Sequence, residues 1–562
     1  MKVRRVTGLL LLLVLAFAVM GGTALAQDSG ASIVTGLNMV GGDVPSIDPT
    51  VSETSMSIDI VNQIFVGLTA QDVTTAETIP GIATDWTVET TDEGAVYTFN
   101  LRNDIPWVRY NAETDAVEQI LDEDGNPLMV TAHDVVYGFL RGLDPETAAP
   151  YSYVPIPYIV GAAEFNAGEA DASEVMVTAV DDWTVQIVAP EETAFAPAIY
   201  GLWAVRPVLQ SVVEEGGDRW TEPEYIATNG PFALKEWAHD ESITIVANPF
   251  WPGTDGIPKP SLAEVTYRFL DPAQQIIEFE AGNLDASMIP VEEIVRVQND
   301  PVLSTQYVTG ANPCTYYIGF DNTEAPTDNV HLRRALSFAI DRQSIVDNVT
   351  RGGQTPAQWF AYPGLNASPT LETHPDLGVK YDPDLAQEEL ALALEELGLA
   401  SASELQLTIT YNDSSGHAAI MQAIQQMWAD TLGVQAELTA ADPTTYFASL
   451  SEEYPMIARA GWCQDYSDAN NFLYDVFFSQ SSQNDPGFAN EEYDALVTQA
   501  RTEPDTDVRR ELYAQAEEIF VVEQAAIAPI YWYSTNQLVR TGVEYAPSIT
   551  GNEAYYLWSV SE

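Results

Sequence analysis

Apolar and polar positions along this chain switch repeatedly between two periods, and the switches predict alternating strands and helices. Val96-Tyr97-Thr98-Phe99-Asn100-Leu101 and Trp183-Thr184-Val185-Gln186-Ile187-Val188 alternate with period two, the mark of half-buried strands. Strands are also predicted at 33–39, 242–246, 265–269, 315–320, 434–438 and 526–533. Helical spacing appears at 55–65, where Ile58, Val61, Ile64 and Phe65 share a face. Thr131 and Asp134 form a capping box ahead of Val135, Val136, Phe139 and Leu140. The helix predicted at 272–281 stops at Gly282, one at 385–397 stops at Gly398, and one opened by His417 carries Ile420, Ile424, Met427, Trp428 and Leu432 before Gly433. Two further helices are expected at 331–340 and 508–522. Strands and helices are mixed throughout, so the chain reads as α/β.

The first residues carry a different pattern. Lys2, Arg4 and Arg5 precede an apolar run from Leu9 to Val19 and a small-residue site at Ala24-Leu25-Ala26. That reads as a secretory signal over 1–26, since the run is too short to span a bilayer comfortably. No cysteine lies near the cleavage site, so no lipoprotein anchor is expected. The expectation is an exported, soluble protein at the periplasmic or extracellular face of the cytoplasmic membrane.

Charge narrows the partners. The chain carries a net −61, and losing Lys2, Arg4 and Arg5 with the signal takes it to −64. Such acidity disfavours nucleic acid and anionic lipid. A 46% hydrophobic composition identifies a folded chain with a solvated acidic surface. The length suggests roughly three domains. The two cysteines, Cys314 and Cys463, form an even pair in an exported chain, which argues for a disulfide.

Catalytic signatures are missing from the sequence. There is no phosphate loop, no zinc-type histidine pair and no nucleophile elbow, and the five histidines are scattered. No metal, cofactor or catalytic residue is predicted. Acidic pairs are too numerous for any one to mark a secreted hydrolase.

The informative run is Arg459-Ala460-Gly461-Trp462-Cys463-Gln464-Asp465-Tyr466. A buried strand over 457–461 leads into a loop, with opposite charges at either end. Charge beside a buried strand is costly unless partnered. Either Arg459 and Asp465 neutralise each other, or each awaits the opposite charge of a ligand. Gly461 would let a ligand backbone approach, and Trp462 would give it a flat wall.

This run resembles the signature of the oligopeptide-binding proteins of bacterial ABC importers. Ser46-Ile47-Asp48-Pro49-Thr50, Thr131-Ala132-His133-Asp134-Val135-Val136, Asn229-Gly230-Pro231-Phe232, Ala339-Ile340-Asp341-Arg342 and Ala528-Pro529-Ile530-Tyr531 are similar to the same family of extracytoplasmic peptide-binding proteins, in the same order. The resemblance implies a periplasmic-binding-protein-like fold of type II, cluster C: two lobes and a hinge, plus a small inserted domain. It implies domain I over 27–65, 207–313 and 535–562, domain II over 66–206, and domain III over 314–534. It agrees with the Cys314–Cys463 disulfide. It implies that Asp465 takes a peptide's α-ammonium group, that Arg459 and His417 meet its carboxylate, and that Glu53, Tyr151, Tyr317, Gly461 and Trp462 line the cleft. The implied partners are short peptides and a membrane permease, with the protein a monomer. Pro443, Leu450 and Thr350 depart from the family's ligand positions. Another solute of the same family, such as an oligosaccharide or a metal chelate, is the alternative.

Overall fold

One long sheet links the two ends of this molecule, whose computed structural model describes residues 30–38 and 42–561. The signal expected at 1–26 lies outside the described residues. The strands that matter here are β1 (Ser32–Asn38), β2 (Phe232–Ala238), β3 (Ser242–Ala247), β4 (Glu264–Leu270), β5 (Ala286–Met288), β6 (Tyr307–Phe320), β7 (Leu407–Asn412), β8 (Ala436–Ala441), β9 (Ile457–Cys463) and β10 (Ile527–Val539). They lie side by side in the order β2-β3-β4-β1-β5-β10-β6-β9-β7-β8, and the short strand Thr355–Pro356 adds to β10.

Strands β6 and β10 hold the two halves together. Each is long, 14 and 13 residues, so β6 spans about 45 Å. The start of β6 pairs with the end of β10 beside β5, and its later residues pair with both β10 and β9. The sequence pattern places the start of β6 at Thr315, but the strand begins at Tyr307. The pairing register shifts between Ala311 and Thr315, which lets the ladder continue past Pro313.

Separate cores follow from this layout. One collects Ile33, Val61, Phe65, Phe139, Trp203 and Trp251 with their neighbours, and the C-terminal Trp558. Two more lie on the two faces of the β6–β9 half: Tyr316, Ile318 and Trp428 on one, Tyr317, Phe360 and Phe477 on the other. Two smaller ones form around Phe279 with Leu538 and around Val108 with Ala233. Among the described residues, Tyr466 alone leaves the 314–534 segment to bury its ring in the first group, stacked on Phe195 at 5.5 Å. A separate four-stranded sheet, Ala83–Thr91, Gly94–Leu101, Thr184–Ala189 and Val177–Asp181, belongs to that first half.

The helices that position the site are α1 (Ser55–Ile64), α2 (Ala132–Leu143), α3 (Ser415–Leu432), α4 (Pro443–Glu452), α5 (Asn470–Phe477) and α6 (Thr506–Glu517). Helix α2 has the expected box, with Asp134 accepting from the Thr131 backbone at 2.8 Å. Ser414 caps α3 through the His417 amide, and Gly433 ends it at φ +68°. Helix α6 is shorter than the 508–522 pattern: wider turns over 518–523 replace it, and the pattern does not distinguish the two. No helix among the described residues is long and apolar enough to cross a membrane.

Candidate functional site

The site is built along one edge of β9. Strand β6 pairs with every residue of β9, from Phe320 opposite Ile457 to Cys314 opposite Cys463. Strand β7 covers the other edge only at Ile457 and Ala458. Cys314 and Cys463 are joined by a disulfide, with Cα atoms 4.0 Å apart. That short spacing belongs to a non-hydrogen-bonded antiparallel pair, so the Cys463 amide and carbonyl point away from β6. Period two makes those of Gly461 and Arg459 point the same way. The Arg459 carbonyl fits this, since it accepts a hydrogen bond from Tyr446 of α4 on that outer side. Gly461 and Cys463 therefore present backbone donors and acceptors that no strand of the described residues covers. Gly461 is exposed, and a Cβ there would meet its neighbours no closer than 3.5 Å, so internal packing does not require glycine.

At one end of this edge sits a cation without an anion. Arg459 is half-buried, with its Cζ 4.8 Å from the centre of the Tyr316 ring. Its Nη2 donates to the Tyr533 hydroxyl at 3.0 Å and its Nη1 reaches Asn412 at 3.5 Å, while Nε is buried without a partner. No carboxylate among the described residues pairs with it. His417, at the start of α3, contacts the Tyr316 hydroxyl at 3.2 Å through Nδ1. Burial, and then the Arg459 charge, push its pKa down from 6.5 to about 3, so it is neutral at pH 7.

At the other end sits an acid that pairs with no cation among the described residues. Asp465 is half-buried, just past the strand. Its Oδ2 accepts from Asn471 Nδ2 at 2.9 Å. Burial raises its pKa from 3.8 to about 7; the Asn471 hydrogen bond opposes the rise and the nearby Asp475 adds to it. Mutual neutralisation of Arg459 and Asp465, the bland alternative of the sequence, does not occur. The neighbouring Asp468 differs: Arg509 grips it at 2.6 and 3.0 Å, and both side chains are fully buried.

Asp465 borders a cavity of about 100 Å³ whose walls include Asn62, Trp203, Arg206, Asn552 and Glu553. Tyr151 and Tyr153, from a distant part of the chain, come within electrostatic reach of Asp465. Both hydroxyls are held well above their ordinary range, first by burial and then by the Asp465 charge. Glu53 is exposed and acts on Tyr151 as a third contribution. The Tyr151 ring meets Trp203 edge-on at 4.8 Å.

Two expected residues lie apart from the Arg459 face. Tyr317 pairs with Ala460, so its side chain leaves the opposite side of the ladder. It is 6% exposed and packs edge-on against Phe360 and Phe477, as a core residue and not an open wall of the cleft. Trp462 shares that face but is half-buried, with its Nε1 donating to Asn471 Oδ1 at 3.3 Å. The sequence pattern did not single out Asn471, Tyr153, Tyr533 or Asn412. Each gains its place only through a neighbour brought in by folding.

Comparison with known proteins gives a consistent picture. The model of the family described as bacterial extracellular solute-binding proteins, family 5 Middle, matches residues 77–484. The oligopeptide-binding protein OppA of Bacillus subtilis (strain 168) is 32% identical over 502 residues, covering 87% of this chain and 86% of the relative. The periplasmic oligopeptide-binding protein OppA of Salmonella typhimurium is 30% identical over 508 residues, covering 90% and 88%. Among solved structures, Haemophilus influenzae OppA in complex with RPPGFSPFR superposes with a TM-score of 0.78 at 28% identity, covering 95% of this chain and 100% of that one.

Proposed function

Since this chain belongs to the family 5 bacterial extracellular solute-binding proteins and shares their two-lobe α/β fold, we propose that it captures short peptides outside the cytoplasm and delivers them to an ABC-type membrane permease. The observation that carries this reading is the pair of uncompensated opposite charges at the two ends of an uncovered strand edge. Peptides differ in their side chains but share an extended backbone and two charged ends. An edge such as Gly461 to Cys463 can take that backbone as an added strand. The Asp465 carboxylate then receives the α-ammonium group, and Arg459 with neutral His417 receives the carboxylate. Six residues of extended chain separate Asp465 from Arg459, at most about 20 Å, which suits a peptide of a few residues.

The remaining roles follow from position. Tyr151, Tyr153 and Glu53 close the ammonium end, Trp462 stiffens the loop, and the disulfide pins the edge to β6. The lobes divide as 27–65 with 207–313 and 535–562, an inserted 66–206, and 314–534, with β6 and β10 as the crossing strands that bend on closure. The protein acts as a monomer without a cofactor.

Mass spectrometry of molecules carried through native purification tests this. The expected result is a mixture of short peptides with free N-termini. Recovery of a saccharide, a metal chelate or a lipid in their place overturns it.

A further inference from the structure

Asn471 is fully buried in the first turn of α5, and its carboxamide is saturated. Its Oδ1 accepts from the Asp465 backbone amide at 2.9 Å and from Trp462 Nε1 at 3.3 Å. Its Nδ2 donates to Asp465 Oδ2 at 2.9 Å and to Asp475 Oδ2 at 3.3 Å. Two N–H groups on one side and two carboxylates on the other leave the amide one orientation. Asp475 is itself fixed, by the Tyr466 hydroxyl at 2.6 Å and by Asn470 Nδ2 at 3.1 Å. Among the described residues, no other group donates to the Asp465 carboxylate.

We propose that Asn471 is the positioning residue of the ammonium subsite: its carboxamide holds the Asp465 carboxylate, the Asp465 backbone and the Trp462 indole in one geometry, and Asp475 locks that carboxamide from behind. This rests on the peptide reading above. The residue type follows from the geometry. Aspartate would set a third acid against two. Serine has one donor. Glutamine would need another methylene of space in a fully packed position. Tyr151, Tyr153 and Asp475 act electrostatically with Asp465, and Arg206 and Glu553 line the same cavity; among the described residues Asp465 has one amide donor and no ion-pair partner. Removing the Asn471 donor makes ionisation of Asp465 harder, and removing the Asp475 charge makes it easier.

The test uses a peptide recovered by mass spectrometry from a randomised tri- to pentapeptide pool, in free and N-acetylated forms, titrated by calorimetry from pH 5 to 8.5. In Asn471→Ala the affinity ratio of free to acetylated peptide falls about tenfold at pH 7, and the pH midpoint of that ratio moves up. In Asp475→Asn the midpoint moves down. A merely structural residue would weaken both peptide forms alike and leave the midpoint in place, and that result overturns the proposal. If Asn471→Ala does not fold, Asp475→Asn carries the test, and an unmoved midpoint overturns it. A wild type that retains no peptide, or that binds both forms equally, removes the peptide reading and this inference with it. A wild type that prefers the free form, with variants that keep the same preference, removes the inference alone.

Discussion

Replacing Asp465 by asparagine keeps the size of the side chain and removes its charge, so binding and stability should respond in opposite directions. The folded pKa of Asp465, about 7, lies above the ordinary 3.8. Ionisation therefore opposes folding. That cost is absent below about pH 4, grows between the two values and is complete above pH 7. The full shift would correspond to about 4 kcal/mol. Access of water from the cavity side screens it to about 2 kcal/mol. The ligand-free Asp465→Asn protein should accordingly unfold about 2–4 °C higher than wild type at pH 8, with no difference at pH 3.5. Peptide binding should move the other way. An ammonium group deprived of a buried, hydrogen-bonded carboxylate loses about 2–5 kcal/mol, roughly 30- to several-thousand-fold in affinity. Scanning calorimetry at matched pH, with and without peptide, measures both. A variant no more stable than wild type at pH 8 refutes the claim of an uncompensated acid. Unchanged peptide affinity refutes its role as the ammonium anchor.

The opposite end of the edge separates charge from hydrogen bonding. Arg459→Leu should weaken peptides with a free C-terminus by about 2–5 kcal/mol and leave their C-terminal amides little affected; equal losses for both would refute the carboxylate role. His417→Gln, replacing a ring that is neutral at pH 7, should cost about 0.5–1.5 kcal/mol, and a loss as large as that of Arg459→Leu would show that His417 is charged in the complex. Arg509→Leu, which strands a fully buried Asp468, should destabilise the protein by about 3–5 kcal/mol in denaturant unfolding; a smaller loss would mean that water reaches Asp468.

Most secondary structure was legible because it depends on neighbours in the chain. The stripe of Ile420, Ile424, Trp428 and Leu432, the Thr131–Asp134 box and the glycines at 282, 398 and 433 act within a turn or two, so a linear pattern carries them. Boundaries slipped where the partner strand decides them. β6 extends back to Tyr307 because β10 is there to pair with it. The β9 strand continues to Cys463 because β6 holds its whole length.

The chain by itself determined that Arg459 and Asp465 stand at opposite ends of one short run that carries one of its two cysteines. That information is covalent and local. Only the tertiary structure decided that neither charge finds its opposite. Whether Asp468 or Asp465 receives Arg509 depends on where α6 packs. The uncovered edge of Gly461 depends on β7 parting from β9 after Ala458, and the face of Tyr317 depends on its register with Ala460. Tyr151 and Tyr153 come within electrostatic reach of Asp465 across some three hundred residues. Electrostatic free energy depends on distance in space and on exclusion of water, and neither is written in the order of residues.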